Sequence, residues 1–412
     1  MGMWWDIAIA SLLALPAIGA IVWWGLALGA MNRTEAALGS AEDGLDSEAS
    51  NLPVLVVVPA HNEQSVIGGL IASLRGQDYK NFRVVLALDR CTDATLSVAL
   101  DTIDGDDRFD IVEVADCPRD WAGKVHAIHS ALHGREQFTD QLLIFADADT
   151  VFDRSCVRSC VNVLEDRKLD ALTLLSTLTY DRGFERRVQA PASLELLVRY
   201  PPRKASRDKG RRPFANGQFI LIRRSAYDKI GKHEAFREEL LEDLAIARVL
   251  WKEKLRVHVL RAGRMLTCRM YPDPAAFERG WIRIFIEAAK RKPRRLKSWS
   301  LGCAVRGFVQ PVGCVLAIAV AAATLATGLS AVPWVFAVSG LLSALGLIFW
   351  IGSVHRFLVY GGVNRWWKRL AILLWWPIGS LELAGLLRRA AANLRRGVPT
   401  GWAGKNYVRP PR

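Results

Sequence analysis

Three short stretches of this 412-residue chain hold the residue types that chemistry needs. Asp147-Ala148-Asp149 directly follows the apolar run from Gln141 to Phe145. Two carboxylates one residue apart at a strand end can converge on a hard cation such as Mg2+ or Mn2+, which takes one or two carboxylates and is completed by waters and substrate phosphates. A surface turn can have the same spelling. Glu242-Asp243 sits within Glu238 to Arg248, where Leu240, Leu244 and Ala247 mark a helix; an acidic pair at such a helix start can simply complement its dipole. Gly123-Lys124, preceded by Trp121, offers a cation and free backbone N–H groups to a diphosphate, or is a solvated lysine at a helix start. No Gly-X-X-X-X-Gly-Lys-Ser/Thr loop occurs, which argues against nucleotide hydrolysis of that type.

The elements that must position these residues read as alternating strands and helices. Leu52 to Pro59 is apolar and β-branched, the pattern of a buried parallel strand, and it leads into Ala60-His61-Asn62-Glu63. A helix from about Ser65 to Leu74 follows, then a strand from Phe82 to Leu88 ending at Asp89. A strand near Asp110 to Val114, a helix near Val125 to His133 and a strand from Gln141 to Phe145 complete the series. Alternation of this kind predicts an open, doubly wound α/β sheet. Ligands of such sheets lie beyond the carboxyl ends of the strands, where these polar residues fall.

Flanking this region are apolar segments. Residues 7–30 and 307–354 carry no charged side chain, and the first run, 24 residues or about 36 Å as a helix, is long enough to cross a membrane. A cleaved signal peptide would want a basic start in place of Met-Gly-Met-Trp-Trp-Asp, so residues 1–31 are expected to be an anchor. Residues 32–51 are expected to be an acidic, flexible linker, residues 52–275 the catalytic domain and residues 276–300 a basic interfacial helix. On that helix Phe277, Trp281, Ile284 and Phe285 share a face expected to meet lipid, the alternative being that it packs on the catalytic domain. Residues 305–354, broken near Gly328 to Pro333, read as a transmembrane hairpin. Residues 367–390, with Pro377 and Glu382, read as a span, a re-entrant segment or an interfacial helix, and 391–412 as a basic tail. Four full crossings would put that tail opposite the basic catalytic domain, against the positive-inside rule.

The chain has 55 Lys and Arg against 41 Asp and Glu, net +14, with the excess gathered at Arg199 to Arg212, Lys290 to Lys297 and Arg388 to Arg412. Basic clusters beside apolar spans point to a membrane surface and not to nucleic acid, for which no motif is visible. Seven cysteines at irregular spacing make no disulfide framework, Cys156 with Cys160 is too little for zinc, and a reducing compartment is expected.

Taken in order, these residues resemble the family 2 glycosyltransferases of the GT-A fold, from about Val54 to Trp281. The resemblance runs through Val-Pro-Ala-His-Asn-Glu63, Leu-Asp89-Arg-Cys-Thr-Asp93-Ala-Thr95, Trp-Ala-Gly-Lys124, Phe-Ala-Asp147-Ala-Asp149-Thr, Asn216-Gly-Gln218-Phe and Leu-Glu242-Asp243. It implies a nucleotide-sugar site made by Ala60, Asn62, Glu63, Asp89, Asp93, Lys124 and Asp147, and Mg2+ or Mn2+ on Asp147 and Asp149. It also implies Asp243 as general base with Glu242 orienting it, and Asn216, Gln218 and Trp281 on the acceptor side. Inversion needs only a base on the acceptor hydroxyl and charge neutralisation on the departing diphosphate.

Processive synthases of that family carry Gln-X-X-Arg-Trp, and here the stretch reads Phe277-Glu-Arg-Gly280-Trp281. Only the tryptophan stays, which argues against polymer synthesis. The layout is similar to non-processive members associated with hopanoids or carotenoids, and Gly401 to Tyr407 resembles their Trp-X-Gly-Arg-X-Tyr tail. A lipid acceptor and a multi-pass inner-membrane protein with a cytoplasmic catalytic domain are the expectations. A polysaccharide synthase, a non-catalytic nucleotide-sugar-binding membrane protein and a transporter are the rival readings.

Overall fold

The structure, a computed structural model, describes residues 2–48, 50–134, 141–205, 213–402, 405–408 and 410–411. The basic block expected over Arg199 to Arg212 therefore lies outside the described residues from position 206 onward, as do Ala403 and Gly404 of the tail.

The chain begins with α1 (Gly2–Ala37), seven residues longer at its end than the uncharged run because Glu35-Ala36-Ala37 are good helix formers. The expected flexible linker is in fact fastened. Ser40 caps a short turn whose carbonyls at Ala41 and Gly44 accept from Ser159 and Asn162, and a Cβ on Gly44 would lie 2.1 Å from the Ser159 carbonyl. Composition marked this stretch as loop; the close backbone approach that holds it depends on the later helix over Cys156–Asp166.

The α/β region then runs β1 (Val54–Ala60), α2 (Ile67–Arg75), β2 (Phe82–Asp89), α3 (Thr95–Ile103), β3 (Phe109–Val114), α4 (Gly123–Leu132), β4 (Leu142–Ala146), β5 (Thr150–Phe152), α5 (Cys156–Asp166), β6 (Ala171–Leu175) and β7 (Thr177–Leu178). It continues with α6 (Ala190–Arg199), β8 (Phe219–Arg223), α7 (Arg224–Lys229), α8 (Glu242–Lys252), β9 (Val257–Arg261) and β10 (Leu266–Cys268). One sheet has the order β3-β2-β1-β4-β8-β6-β9. Its first four strands are parallel, whereas β8 is antiparallel to both neighbours. The doubly wound expectation thus holds for the first half, and the sheet is mixed in the second. A small sheet, β5-β10-β7, stands beside it.

Strand β1 shows why its sequence is apolar without alternation. Val54, Val56 and Val58 pack on one core, Leu55 and Val57 on the other, so both faces are covered.

After the sheet come α9 (Pro274–Ala288), α10 (Pro293–Ala304), α11 (Gln310–Thr327), α12 (Pro333–Tyr360) and α13 (Trp366–Arg396), and a terminal hairpin of β11 (Thr400–Trp402) and β12 (Lys405–Tyr407). Among the described residues, four helical stretches are long and apolar enough to cross a membrane: Met3–Ala37, Pro293–Thr327, Pro333–Tyr360 and Trp366–Arg396. The break in the expected hairpin falls at Gly328, whose φ of 65° suits a residue without Cβ. Asp6 of α1 accepts from Ser330 and from the Ala331 amide, so the start of α1 and this turn share one end of the helix bundle.

Helix α13 differs from the other three, because it is tied to the α/β region along its length. Lys368 pairs with Asp181 at 2.5 Å, Glu382 with Arg187 at 3.2 Å and Arg389 with Glu278 at 2.7 Å. A Cβ on Gly379 would lie 1.7 Å from the Arg187 carbonyl. Residues near both ends of α13 are therefore ion-paired to residues 181 and 278 of the region before the apolar helices.

The expectation that Phe277, Trp281, Ile284 and Phe285 face lipid is corrected. Phe277, Trp281 and Phe285 are buried, and they form one apolar cluster with Trp299 of α10 and Leu383, Leu387 and Leu394 of α13, against which Ile284 also packs. The same polar-apolar periodicity that suggests a membrane surface also suits a protein partner, and here α13 is that partner. The outward apolar residues are on α13 instead: Trp366, Leu370, Leu374, Trp375, Ile378 and Leu381 are all exposed.

Candidate functional site

A cavity of about 810 Å3 opens at the carboxyl ends of β1, β2 and β4. Ala60, Asn62, Glu63, Asp89, Lys124, Asp147, Asp149, Asn216, Gln218, Glu242, Asp243 and Trp281 all border it. Of the site residues expected from sequence, Asp93 alone does not. Its carboxylate accepts from the amides of Gln64 and Thr95, so it shapes the loop carrying Glu63 instead of facing the cavity.

Lys124 is the hub. Its ammonium lies 2.6 Å from Asp147 and 2.5 Å from Glu242, joining the two acidic stretches that are far apart in sequence. Gly217 makes this possible, since a Cβ there would come within 3.0 Å of the ammonium and 3.3 Å of both Glu242 and Asp243. Burial works against the Lys124 charge, but Asp147 and Glu242 outweigh it and hold the ammonium well above its ordinary range.

Asp149 has a buried carboxylate oxygen, Oδ1, with no hydrogen-bond partner. Burial, then Asp147, push its pKa up to about 7. Among the described residues no group of three or more His, Cys, Asp or Glu could hold a metal by itself. An orphaned carboxylate oxygen beside a second carboxylate is nevertheless the donor set of an ion completed by water and phosphate, so Asp147 and Asp149 fit Mg2+ or Mn2+. Glu63 is pushed to about 8, by burial and then by Asp149 and Asp147. Three acidic groups, Glu63, Asp147 and Asp149, thus crowd a site that a cation would relieve.

Asp243 opens α8. Its Oδ2 accepts from the Gly217 amide at 3.0 Å and its Oδ1 from the Leu244 amide at 2.7 Å. Burial, then Glu242, hold its pKa up at about 7, the range in which a carboxylate can take a proton at neutral pH. Of the expected acceptor-side residues, Asn216 donates to the Leu174 carbonyl and to Gln218, so both its N–H groups serve the wall itself. Trp281 lies in the wall with its indole N–H unpartnered.

Several lining residues were not read from sequence. His61 Nδ1 sits 2.5 Å from the Asp89 carbonyl. Arg279 and Arg283, four apart on α9, border the cavity, and that spacing was a usable signal. Tyr271 explains the altered motif at Gly280. A Cβ at Gly280 would meet the Tyr271 ring at 2.3 Å, so the ring occupies the space where an arginine would start. Away from the carboxylates the cavity turns apolar, reaching Leu196 and Leu197 of α6, Tyr200 just after it, and Phe357 and Tyr360 at the end of α12.

A family model described as glycosyltransferase-like family 2 matches residues 52–278, more than half of the chain. No curated protein matches. Among solved structures the chain is similar to the mannosyltransferase PcManGT of Pyrobaculum calidifontis in complex with GDP-Man and Mn2+, at 17% identity and a TM-score of 0.46 over 92% of this chain and 98% of that one. It is also similar to S. aureus TarS 1-349 in complex with UDP-GlcNAc, at 14% identity and a TM-score of 0.39 over 87% of this chain and 97% of that one.

Proposed function

The chain belongs to glycosyltransferase-like family 2, and on that premise we propose that it moves a sugar, with inversion, from a nucleotide-sugar donor to a lipid acceptor at the cytoplasmic face of the inner membrane. The observation that carries this reading is one continuous cavity that joins the carboxylate cluster to an apolar branch ending at Phe357 and Tyr360 of α12, a helix long and apolar enough to cross a membrane. In this reading the nucleotide lies over Asn62, Glu63 and Asp89, and the acceptor hydroxyl reaches Asp243, which accepts its proton as the oxygen attacks the anomeric carbon. The hydrogen bonds from Gly217 and Leu244 aim that carboxylate. Asp147 and Asp149 would hold Mg2+ or Mn2+, which supplies charge neutralisation to the departing diphosphate. Lys124, between Asp147 and Glu242, adds a fixed positive charge on the same side.

The test is release of nucleoside diphosphate by the purified protein in membranes or detergent, with total lipid extract and separately with soluble sugars as acceptors. Transfer to a chloroform-soluble product is expected. Turnover with soluble acceptors alone would overturn the lipid reading.

For the membrane we propose three crossings, α1, the continuous α10–α11 stretch and α12, with α13 lying along the interface. Trp4, Trp5 and Trp334 are exposed at one end of the bundle, as tryptophans at a membrane interface are, and the outward Trp366 and Trp375 of α13 would mark the other. Among the described cysteines only Cys91 and Cys117 are partly exposed. An impermeant thiol reagent should therefore label a Leu329→Cys variant in intact cells, and Cys117 only after permeabilisation. The reverse pattern would turn the topology over.

A further inference from the structure

The C-terminal hairpin returns to the mouth of the cavity, which no feature of the transferase chemistry requires. Lys405 donates from its ammonium to the carbonyls of Trp121 at 2.7 Å, Pro118 at 2.5 Å and Arg119 at 3.2 Å. The Tyr407 hydroxyl accepts from the Gly123 amide at 3.0 Å. Gly123 is the first residue of α4, and the residue before it, Ala122, has no side chain able to cap that helix. Tyr407 therefore supplies from 284 positions away the acceptor that a Ser or Asp would ordinarily supply locally. The next residue is Lys124.

We propose that this hairpin is a strap that positions the donor site: Lys405 and Tyr407 fix the turn from Pro118 to Gly123 and thereby hold Lys124 between Asp147 and Glu242. Gly401, Lys405 and Asn406 also border the cavity, so the strap closes the nucleotide half from outside. The strap depends on the course of α13. Because Lys368 and Arg389 both fasten that helix to the catalytic side, the tail that follows emerges where it can reach Trp121; a membrane crossing by α13 would carry it away. Lys405 and Tyr407 are positioning residues in this assignment, acting through the α4 turn on Lys124.

The proposal rests on the donor-site reading given above, and its test separates the two. Binding of UDP and of GDP, each with Mn2+, is measured by calorimetry on the full-length protein in detergent, with the melting temperature followed in parallel. Wild-type protein is expected to bind at least one of the two. Tyr407→Phe keeps the ring and loses the acceptor, and should weaken binding about three- to tenfold, the effect of one lost hydrogen bond. Lys405→Met should weaken it about tenfold or more, and Lys405→Arg, which can still donate to several carbonyls, should recover most of the loss. In turnover assays the KM for donor should rise with little change in the KM for acceptor, a split that a general loss of folded protein would not produce. Wild-type affinity in both Tyr407→Phe and Lys405→Met, beside a clear loss in Lys124→Met, would overturn the strap. Failure of the wild type itself to bind either nucleotide would instead overturn the donor-site reading, and the strap with it.

Discussion

Asp243→Asn is expected to lower turnover by ~10²–10⁴-fold, the usual contribution of a general base, while nucleotide and metal binding stay close to wild type. The carboxylate borders the cavity and is aimed by the Gly217 and Leu244 amides. Its pKa of about 7, set by burial and then by Glu242, adds a second signature: the wild-type rate should rise as pH increases through about 7, as the base loses its proton, and then level off. The residual rate of Asp243→Asn should lack that rise. A carboxylate that merely complements the dipole at the start of α8 would behave differently, its loss costing ~0.3–1 kcal/mol of stability with normal turnover in the folded fraction. Full activity in folded Asp243→Asn would remove the assigned base and make Glu242 the next carboxylate to examine, although its salt bridge with Lys124 suits it better to orientation.

Asp149→Asn should weaken the metal by at least ~100-fold, since loss of an outer-sphere partner alone typically costs 10–100-fold, and nucleotide binding should fall with it. Isothermal titration with Mn2+ in the presence of nucleoside diphosphate measures both. A stability measurement gives an independent reading. Burial and the nearby Asp147 hold Asp149 at about 7 against an ordinary 3.8, so the folded protein keeps a proton that the unfolded chain has already released. Between pH 4 and 7 the unfolded state binds fewer protons, and the contribution of this group to stability must fall as pH rises through that window and stay level above it. Asn at this position should flatten the fall, and Mn2+ with nucleotide should offset it in the wild type only. Unchanged metal affinity in Asp149→Asn would show that the orphaned Oδ1 is not a ligand.

Much of the catalytic domain was legible in the sequence because its signals are local. The run from Val54 to Val58 is apolar at every position since two cores cover it, and a buried strand leaves that mark in composition whatever surrounds it. Polar residues at strand ends, Glu63, Asp89, Asp147 and Asp149, could be placed at one edge of the sheet by topology alone. The uncharged segments likewise announced helices long enough to cross a membrane, since spanning length is a property of one segment.

What the sequence could not determine was which surfaces meet. Asp93 has the same chemistry as Asp89, and only the folded loop shows that amides at Gln64 and Thr95 occupy its carboxylate. The apolar face of Phe277, Trp281 and Phe285 was visible as periodicity, but a helical stripe does not name its partner, and α13 rather than lipid covers it. The course of α13 itself was undecidable, because Pro377, Glu382 and the apolar residues around them suit a span or a surface helix equally. Ion pairs from Lys368 and Arg389 to positions 187 and 111 residues away fasten it beside the catalytic domain, and no local pattern announces them. The meeting of Asp147, Lys124 and Glu242 has the same origin: contacts between groups far apart in the chain leave no local pattern, and the tertiary structure alone brings them within hydrogen-bonding distance.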